Sequence, residues 1–272
     1  MKLRHLWQIG LTLTICLALF IGPASASDTL NIAAASNLTY VMPEIIKAFE
    51  KENKGMEVRL SLASTGSIYS QLMNGAPYDI FLSADELRPR LLYEEGMTEG
   101  EPFTYARGRL ILWSSGREGF PEGIASLLSP GIKKIAMANP KHAPYGEAAR
   151  RSLEKAGLLE TLKGKLIFGE NVGQTAQFVL SGSAQAGFIA ESMLKVPAIR
   201  KGSFYRLPPG SVDSIVQLGV IIKRKGRNES AALLFKEFLY HERAKEILEK
   251  PERKHQDWFH ENDEELNALL VE

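Results

Sequence analysis

The sequence predicts an α/β protein of two lobes, each built on a mostly parallel sheet flanked by helices, with two hinge crossings between them. Three observations lead there. Apolar runs of strand length alternate with stretches of helical period from Leu30 onward. The same alternation restarts after a longer apolar run between Phe103 and Ser115, which has no helix before it. A late strand-like run from Val216 to Ile222 then supplies a way back, followed by two amphipathic helices.

Taken in order, residues 30 to 35 read as a buried strand, and residues 38 to 51 as a helix with Val41, Ile45, Ile46 and Phe49 at helical spacing. Residues 58 to 63 form the next strand and the helix from Ser67 follows; residues 79 to 83 are a third strand, after which Asp85 is placed to cap a helix through Leu91 and Leu92. Beyond the crossing, a short helix at 124 to 128 precedes a strand at 134 to 138 and a helix at 146 to 155. Strands at 166 to 168 and 187 to 190 are separated by a helix at 175 to 180. Helices at 230 to 240 and 243 to 250 close the first lobe, and the polar tail carries Trp258, Phe259, Leu266, Leu269 and Leu270 as anchors for a short terminal helix.

The 272 residues are 44% hydrophobic and 24% charged, the balance of a chain able to bury a sizeable core. Lys2 and Arg4 precede an apolar run at 11 to 21, and Ala24-Ser25-Ala26 offers a small-x-small site, so residues 1 to 26 are expected to be a cleaved export signal. The single cysteine, Cys16, falls inside that signal, which leaves no thiol for disulfides, catalysis or metal binding in the mature chain. Without Lys2 and Arg4 the count of 33 basic and 32 acidic residues becomes 31 and 32, a net charge near −1 with no electrostatic case for nucleic acid or anionic membrane.

The chemistry gathers where strands run into helices. Ser64-Thr65-Gly66-Ser67 joins a strand to a helix, and its hydroxyls and free N–H groups lie where the helix dipole favours negative charge. Such residues are also ordinary N-caps. A second copy of the arrangement, Ser36-Asn37 after a small-residue strand, and two further junctions, Ala143-Pro144-Tyr145-Gly146 and Asn171-Val172-Gly173-Gln174-Thr175, point to one crevice beyond the carboxyl ends of the strands. All four offer donors and none has a charge at its centre. A tetrahedral dianion, which has acceptors only, suits such a ring.

Catalytic readings are thinner. Ser67, Asp79 and His142 could be drawn as a triad for an exported hydrolase, but no nucleophile-elbow pattern surrounds Ser67. Asp79 and Asp85 read as a strand-end acid and a helix cap, and His255 and His260 are five apart rather than the four that suits a metal. A sensory or adaptor role through the tail is a third reading.

The motifs Ala33-Ala34-Ala35-Ser36, Ser64-Thr65-Gly66-Ser67, the run from Tyr78 to Asp85, the run from Asn139 to Gly146 and the run from Gly169 to Thr175 resemble the periplasmic molybdate-binding proteins of ABC-type uptake systems over about residues 29 to 250. The resemblance implies the two-lobed periplasmic-binding-protein fold of type II, with residues 27–107 and 219–272 as one lobe and 108–218 as the other. It implies contacts to molybdate or tungstate oxygens from Ser36, Asn37, Ser67, Tyr145 and the Val172 backbone N–H, with no direct metal ligation and no cofactor. Tyr145 stands in for a tyrosine that many relatives place on a late strand, where this chain has Ala190. The implied partners are the permease and ATPase subunits of an importer, the implied compartment the periplasm, and the implied state a monomer.

Overall fold

The structure is a computed structural model that describes residues 28–116, 119–208, 210–211, 214–225 and 229–249. The stretches expected to form the export signal and the terminal helix, with His255 and His260, lie outside the described residues.

Two five-stranded sheets carry the chain among the described residues. The first contains β1 (Asp28–Ala35), β2 (Met56–Ala63), β3 (Ile80–Leu82), β4 (Phe103–Gly108) and, after a long excursion, β10 (Ile215–Ile221), in the order β2-β1-β3-β10-β4. The second contains β5 (Leu110–Ser114), β6 (Ile135–Ala138), β7 (Leu166–Gly169), β8 (Ala186–Ala190) and β9 (Ser203–Arg206), in the order β7-β6-β8-β5-β9. In each sheet one strand pairs in parallel with two others, β1 with β2 and β3, and β6 with β7 and β8. The crossing strands β10 and β5 run antiparallel to their neighbours. The two sheets are therefore mixed, because a strand that enters or leaves a lobe passes through it in the opposite sense.

The expected single run between Phe103 and Ser115 is two strands, β4 and β5, which belong to different sheets and are separated by Arg109 alone. The helices are α1 (Met42–Glu52), α2 (Thr65–Met73), α3 (Leu87–Glu94), α4 (Pro144–Lys155), α5 (Leu159–Leu162), α6 (Val172–Leu180), α7 (Pro197–Arg200), α8 (Glu229–Phe238) and α9 (Glu242–Glu249).

Alternation of side chains along β1 explains how the first sheet is covered on both faces. Leu30, Ile32 and Ala34 pack with Phe49 of α1 and Phe235 and Phe238 of α8. Ala33, one step out of phase, packs with Ile68 and Leu72 of α2 and Phe81 of β3. Phe49 meets Phe235 edge-on at 5.0 Å between ring centroids and Phe238 at 5.5 Å. A completely buried aromatic of this kind is worth about 3–5 kcal/mol against truncation to alanine. The second lobe has its own core around Trp113, Phe188 and Ile189, and Trp113 Nε1–H donates to the Ile199 carbonyl at 2.8 Å.

Candidate functional site

The site is built at the carboxyl ends of the parallel strands. β1 and β2 are in register to their last pair, Ala35 opposite Ala63, so Ser36 and Ser64 leave the sheet side by side. After Ala35 the chain does not enter α1 directly. Residues Ser36–Leu38 make a 3-10 turn in which Thr39 Oγ1 and N–H both donate to the Ser36 carbonyl, at 2.6 and 3.2 Å. Pro43 near the first turn of α1 delays that helix to Met42. Ser36 and Asn37 are thereby held in a buried turn, 5% and 2% exposed, rather than on the outside of a longer helix.

At the second junction Ser64 is the N-cap of α2 and its Oγ accepts from Ser67 N–H at 3.3 Å. Ser67, on the first turn of α2, accepts from Gln71 Nε2 at its own Oγ, also at 3.3 Å. Each hydroxyl is thus engaged as an acceptor and has its proton to give. Thr65 points inward and its Oγ1 accepts from Ala84 N–H at 3.1 Å, tying the start of α2 to the turn after β3.

The second lobe faces these ends with the N-termini of α4 and α6. Asn171 caps α6, its Oδ1 accepting from Gln174 N–H at 3.0 Å, which sets Val172 as the first helical residue. A Cβ built on Gly173 would lie 3.7 Å from Ser36 Cβ, so the α6 N-terminus meets the β1 end directly across the lobes. Val172 is 2% exposed, with its side chain in the second lobe's core. α4 begins at Pro144, and Tyr145 is 3% exposed with its hydroxyl accepting from Gln217 Nε2 at 3.3 Å.

Gln217 lies in β10 and sequence reasoning passed over it. Its Oε1 accepts from Asn37 Nδ2 at 3.0 Å and from Tyr105 Oη at 2.9 Å, and Tyr105 Oη also stands 2.9 Å from the Ser83 carbonyl. The β4–β10 pairing jumps from Ala106–Gln217 to Thr104–Leu218, which makes Tyr105 the extra residue of a β-bulge and turns its ring inward. A signal was present in the sequence: a glutamine inside the apolar run Val216-Gln217-Leu218 is a polar group that has to be satisfied where it is buried. Asn37 Oδ1, also buried, has no hydrogen-bond partner among the described residues.

Burial holds the Tyr145 phenol well above the ordinary tyrosine range; the Gln217 bond opposes that rise and the Glu191 charge adds to it. Tyr105 is pushed up for the same first reason, with Tyr145 and Asp85 contributing. Both phenols are therefore neutral donors throughout the neutral range.

Besides the Gln217–Tyr145 bond, four hydrogen bonds cross between the lobes around this locus among the described residues. Gly66 N–H donates to the His142 carbonyl at 2.8 Å, Ser192 Oγ to the Asn37 carbonyl at 3.1 Å, Gln177 Nε2 to Tyr40 Oη at 3.4 Å and Arg88 Nη2 to the Lys141 carbonyl at 3.5 Å. The drawn triad is not assembled. Asp79 immediately precedes β3, at the opposite end of the strand from α2, and accepts from Asn31 N–H at 2.7 Å while Arg224 Nη2 stands 2.6 Å from its other oxygen. His142 meets α2 through its backbone carbonyl. A groove of about 620 Å³ lined by Arg88, Glu147, Arg151 and Val216, among others, contains none of Ser36, Asn37, Ser67, Tyr145 or Val172 and mixes both signs of charge.

The family model described as bacterial extracellular solute-binding protein matches residues 30–251. A protein of Azotobacter vinelandii named molybdate-binding protein ModA is 39% identical over 228 residues, 83% of this chain and 89% of that protein. One of the same name from Rhodobacter capsulatus is 37% identical over 238 residues, covering 86% and 92% of the two chains. The solved structure of the Azotobacter vinelandii periplasmic molybdate-binding protein superposes with a TM-score of 0.75 at 34% identity, over 80% of this chain and 96% of that one.

Proposed function

The chain belongs to the bacterial extracellular solute-binding protein family, among its ModA molybdate-binding members, and on that premise we propose that it captures molybdate or tungstate between its lobes. The lobes change over near residues 108 and 218 and shut on the anion as a hinged pair. The observation that carries this reading is the meeting of the α6 N-terminus with the Ser36 turn across the lobes, beside the α2 N-cap. Two helix N-termini and a run of hydroxyls converge there, a donor set with no acceptor demand on the ligand.

In this reading Ser36, Asn37, Ser67, Tyr145 and the Val172 N–H contact the oxygens, and we add Ser64 because the register makes it the neighbour of Ser36. Contacts are to oxygen, and the metal atom of the anion touches no protein atom. Closing the lobes removes water, which strengthens each donor contact in the lower dielectric. Relatives of this chain are named as binding proteins, and we assign it no reaction. We further propose that it acts as a periplasmic monomer delivering the anion to the permease and ATPase of an importer.

Isothermal titration of residues 27–272 with molybdate, tungstate, sulfate and phosphate in one buffer tests the proposal. Tight one-to-one binding of the first two alone is expected. A preference for sulfate would keep the fold and replace the ligand, and silence toward all four would remove the reading. Ser67→Ala and Ser64→Ala are each expected to cost about 1.5–3 kcal/mol, the worth of a hydrogen bond to a charged group. Wild-type affinity in either variant would take that hydroxyl out of the site.

A further inference from the structure

We propose that Gln217, at the hinge, is a positioning residue that commits the only proton of Tyr145 to the bound anion. This rests on the oxyanion reading above. A phenol can donate once and accept twice, so what it offers a ligand depends on what its other neighbour takes. Gln217 Nε2 donates to Tyr145 Oη at 3.3 Å, so that contact consumes a lone pair of the phenol and leaves its proton uncommitted. The amide is kept in this orientation from its other end, where Oε1 faces Asn37 Nδ2 at 3.0 Å and Tyr105 Oη at 2.9 Å.

The group sits where a small change in it reaches both lobes. Gln217 belongs to β10 of the first sheet, Tyr145 to α4 of the second lobe, and Asn37 to the turn that also carries Ser36. All four side chains of the network are buried. The space is closed from the remaining side by Gly108, where a Cβ would come within 2.1 Å of Tyr145 Oη and 2.5 Å of Gln217 Nε2.

The competing arrangement is isosteric. If the Gln217 and Asn37 amides both turned over, Oε1 would take the Tyr145 proton, Nε2 would donate to Tyr105 and Asn37, and the unpaired Asn37 Oδ1 would be replaced by an amide nitrogen. That state keeps the phenol proton inside the protein and offers an anion none. An acceptor-only ligand favours the first arrangement and a ligand bearing its own hydroxyl does not, so Gln217 contributes to discrimination against protonated anions.

The test is Gln217→Glu measured against wild type at the same pH, so that titration of the ligand itself cancels. A neutral glutamic acid can donate to Tyr145 as the amide does, whereas the carboxylate accepts the Tyr145 proton. Molybdate affinity of Gln217→Glu relative to wild type is expected to fall progressively from pH 5 to pH 9. In a Tyr145→Phe background the same replacement keeps its charge but has no phenol proton to redirect, and the pH-dependent loss is expected to be about tenfold smaller, one charge-assisted hydrogen bond. Asp85 and Glu191, the carboxylates whose charge reaches the two phenols, are common to all the proteins compared. Equal pH-dependent losses in the two backgrounds would overturn the proposal. Should Gln217→Glu not fold, Gln217→Met serves: the loss that comes through Asn37 stays when Tyr145 is already Phe, the part carried by the phenol proton should disappear there, and fully additive losses would count against the proposal. Failure of wild type to bind molybdate or tungstate would instead strike the oxyanion reading itself.

Discussion

At the scale of single residues the site depends on close approach as much as on donors. Gly108 is glycine because Tyr145 Oη occupies the place of its side chain. Gly108→Ala is expected to displace the Tyr145 hydroxyl and weaken molybdate binding by at least about tenfold, the worth of one charge-assisted bond. In a Tyr145→Phe background the added methyl should cost less but still something, because it also meets Gln217 Nε2 at 2.5 Å, which titration of the four proteins would establish. The two buried phenols also make an alkaline prediction with a definite sign. Their folded pKa values lie above the unfolded value, so at high pH the unfolded chain binds fewer protons than the native one and stability falls as pH rises. The protein should be evenly stable through neutrality as far as these groups are concerned, and lose stability above about pH 10, where unfolded tyrosine ionises. Urea unfolding of wild type and Tyr145→Phe at pH 8 and pH 10.5 checks it: the variant should lose less between the two.

Among the elements, those whose burial follows a period were legible, and those decided by one contact were not. β1, β2, α2 and α6 follow from apolar spacing and cap residues, and the Ser36, Ser64, Tyr145 and Val172 junctions all fall at strand ends facing the crevice. The helix expected from residue 38 starts instead at Met42, because Ser36–Leu38 tightens into a 3-10 turn before Pro43 permits the helix. β9 was passed over: four half-buried or exposed residues between Gly202 and Pro208 carry no alternation strong enough to read, and only pairing with β5 makes them a strand. Gln217 showed only as a polar residue in an apolar run and Tyr105 not at all, since their role lies in a bulge and in a pairing between residues 112 apart in sequence. Asp79 shows how a buried charge at the other strand end is purely structural. It takes two bonds from Asn31 and faces Arg224, joining β1, the start of β3 and the segment after β10. Arg224 Nη2 reaches Asp79 Oδ1 at ion-pair distance without hydrogen-bond geometry, so the Asn31 bonds are the better-formed part of the cluster. Asp79→Ala should destabilise the fold by about 3–5 kcal/mol, as expected when one partner of a buried pair is removed. Chemical denaturation reads this directly, and the affinity of the molecules that remain folded should be unchanged, because the cluster is at the far end of the sheet.

For the whole molecule the governing quantity is the balance between open and closed lobes. A ligand that binds only the folded chain at a thousandfold excess over Kd adds about 4.1 kcal/mol. For a domain of this size that is a rise in melting temperature of about 8–16 °C, expected with molybdate and tungstate and absent with phosphate in a thermal scan. The lobes touch through few polar contacts, and the Gly66 N–H bond to the His142 carbonyl is the shortest of those crossing near the site. A Cβ on residue 66 would lie 2.9 Å from that carbonyl oxygen and 3.0 Å from His142 Cα, too close for backbone that cannot swing aside. Within its own lobe, alanine is the better helix former, by up to about 1 kcal/mol at an interior position. Gly66→Ala should therefore leave the free protein as stable as wild type or slightly more so, while holding the lobes ajar. Because apparent affinity scales with the fraction of molecules able to close, molybdate binding should weaken even though no ligand contact has been removed. Scattering of the molybdate-saturated proteins would show a larger radius of gyration for the variant. Wild-type affinity together with a wild-type radius would mean that the Gly66–His142 approach has no part in closure, whereas opposite movements of stability and affinity are what a steric gate between two lobes requires.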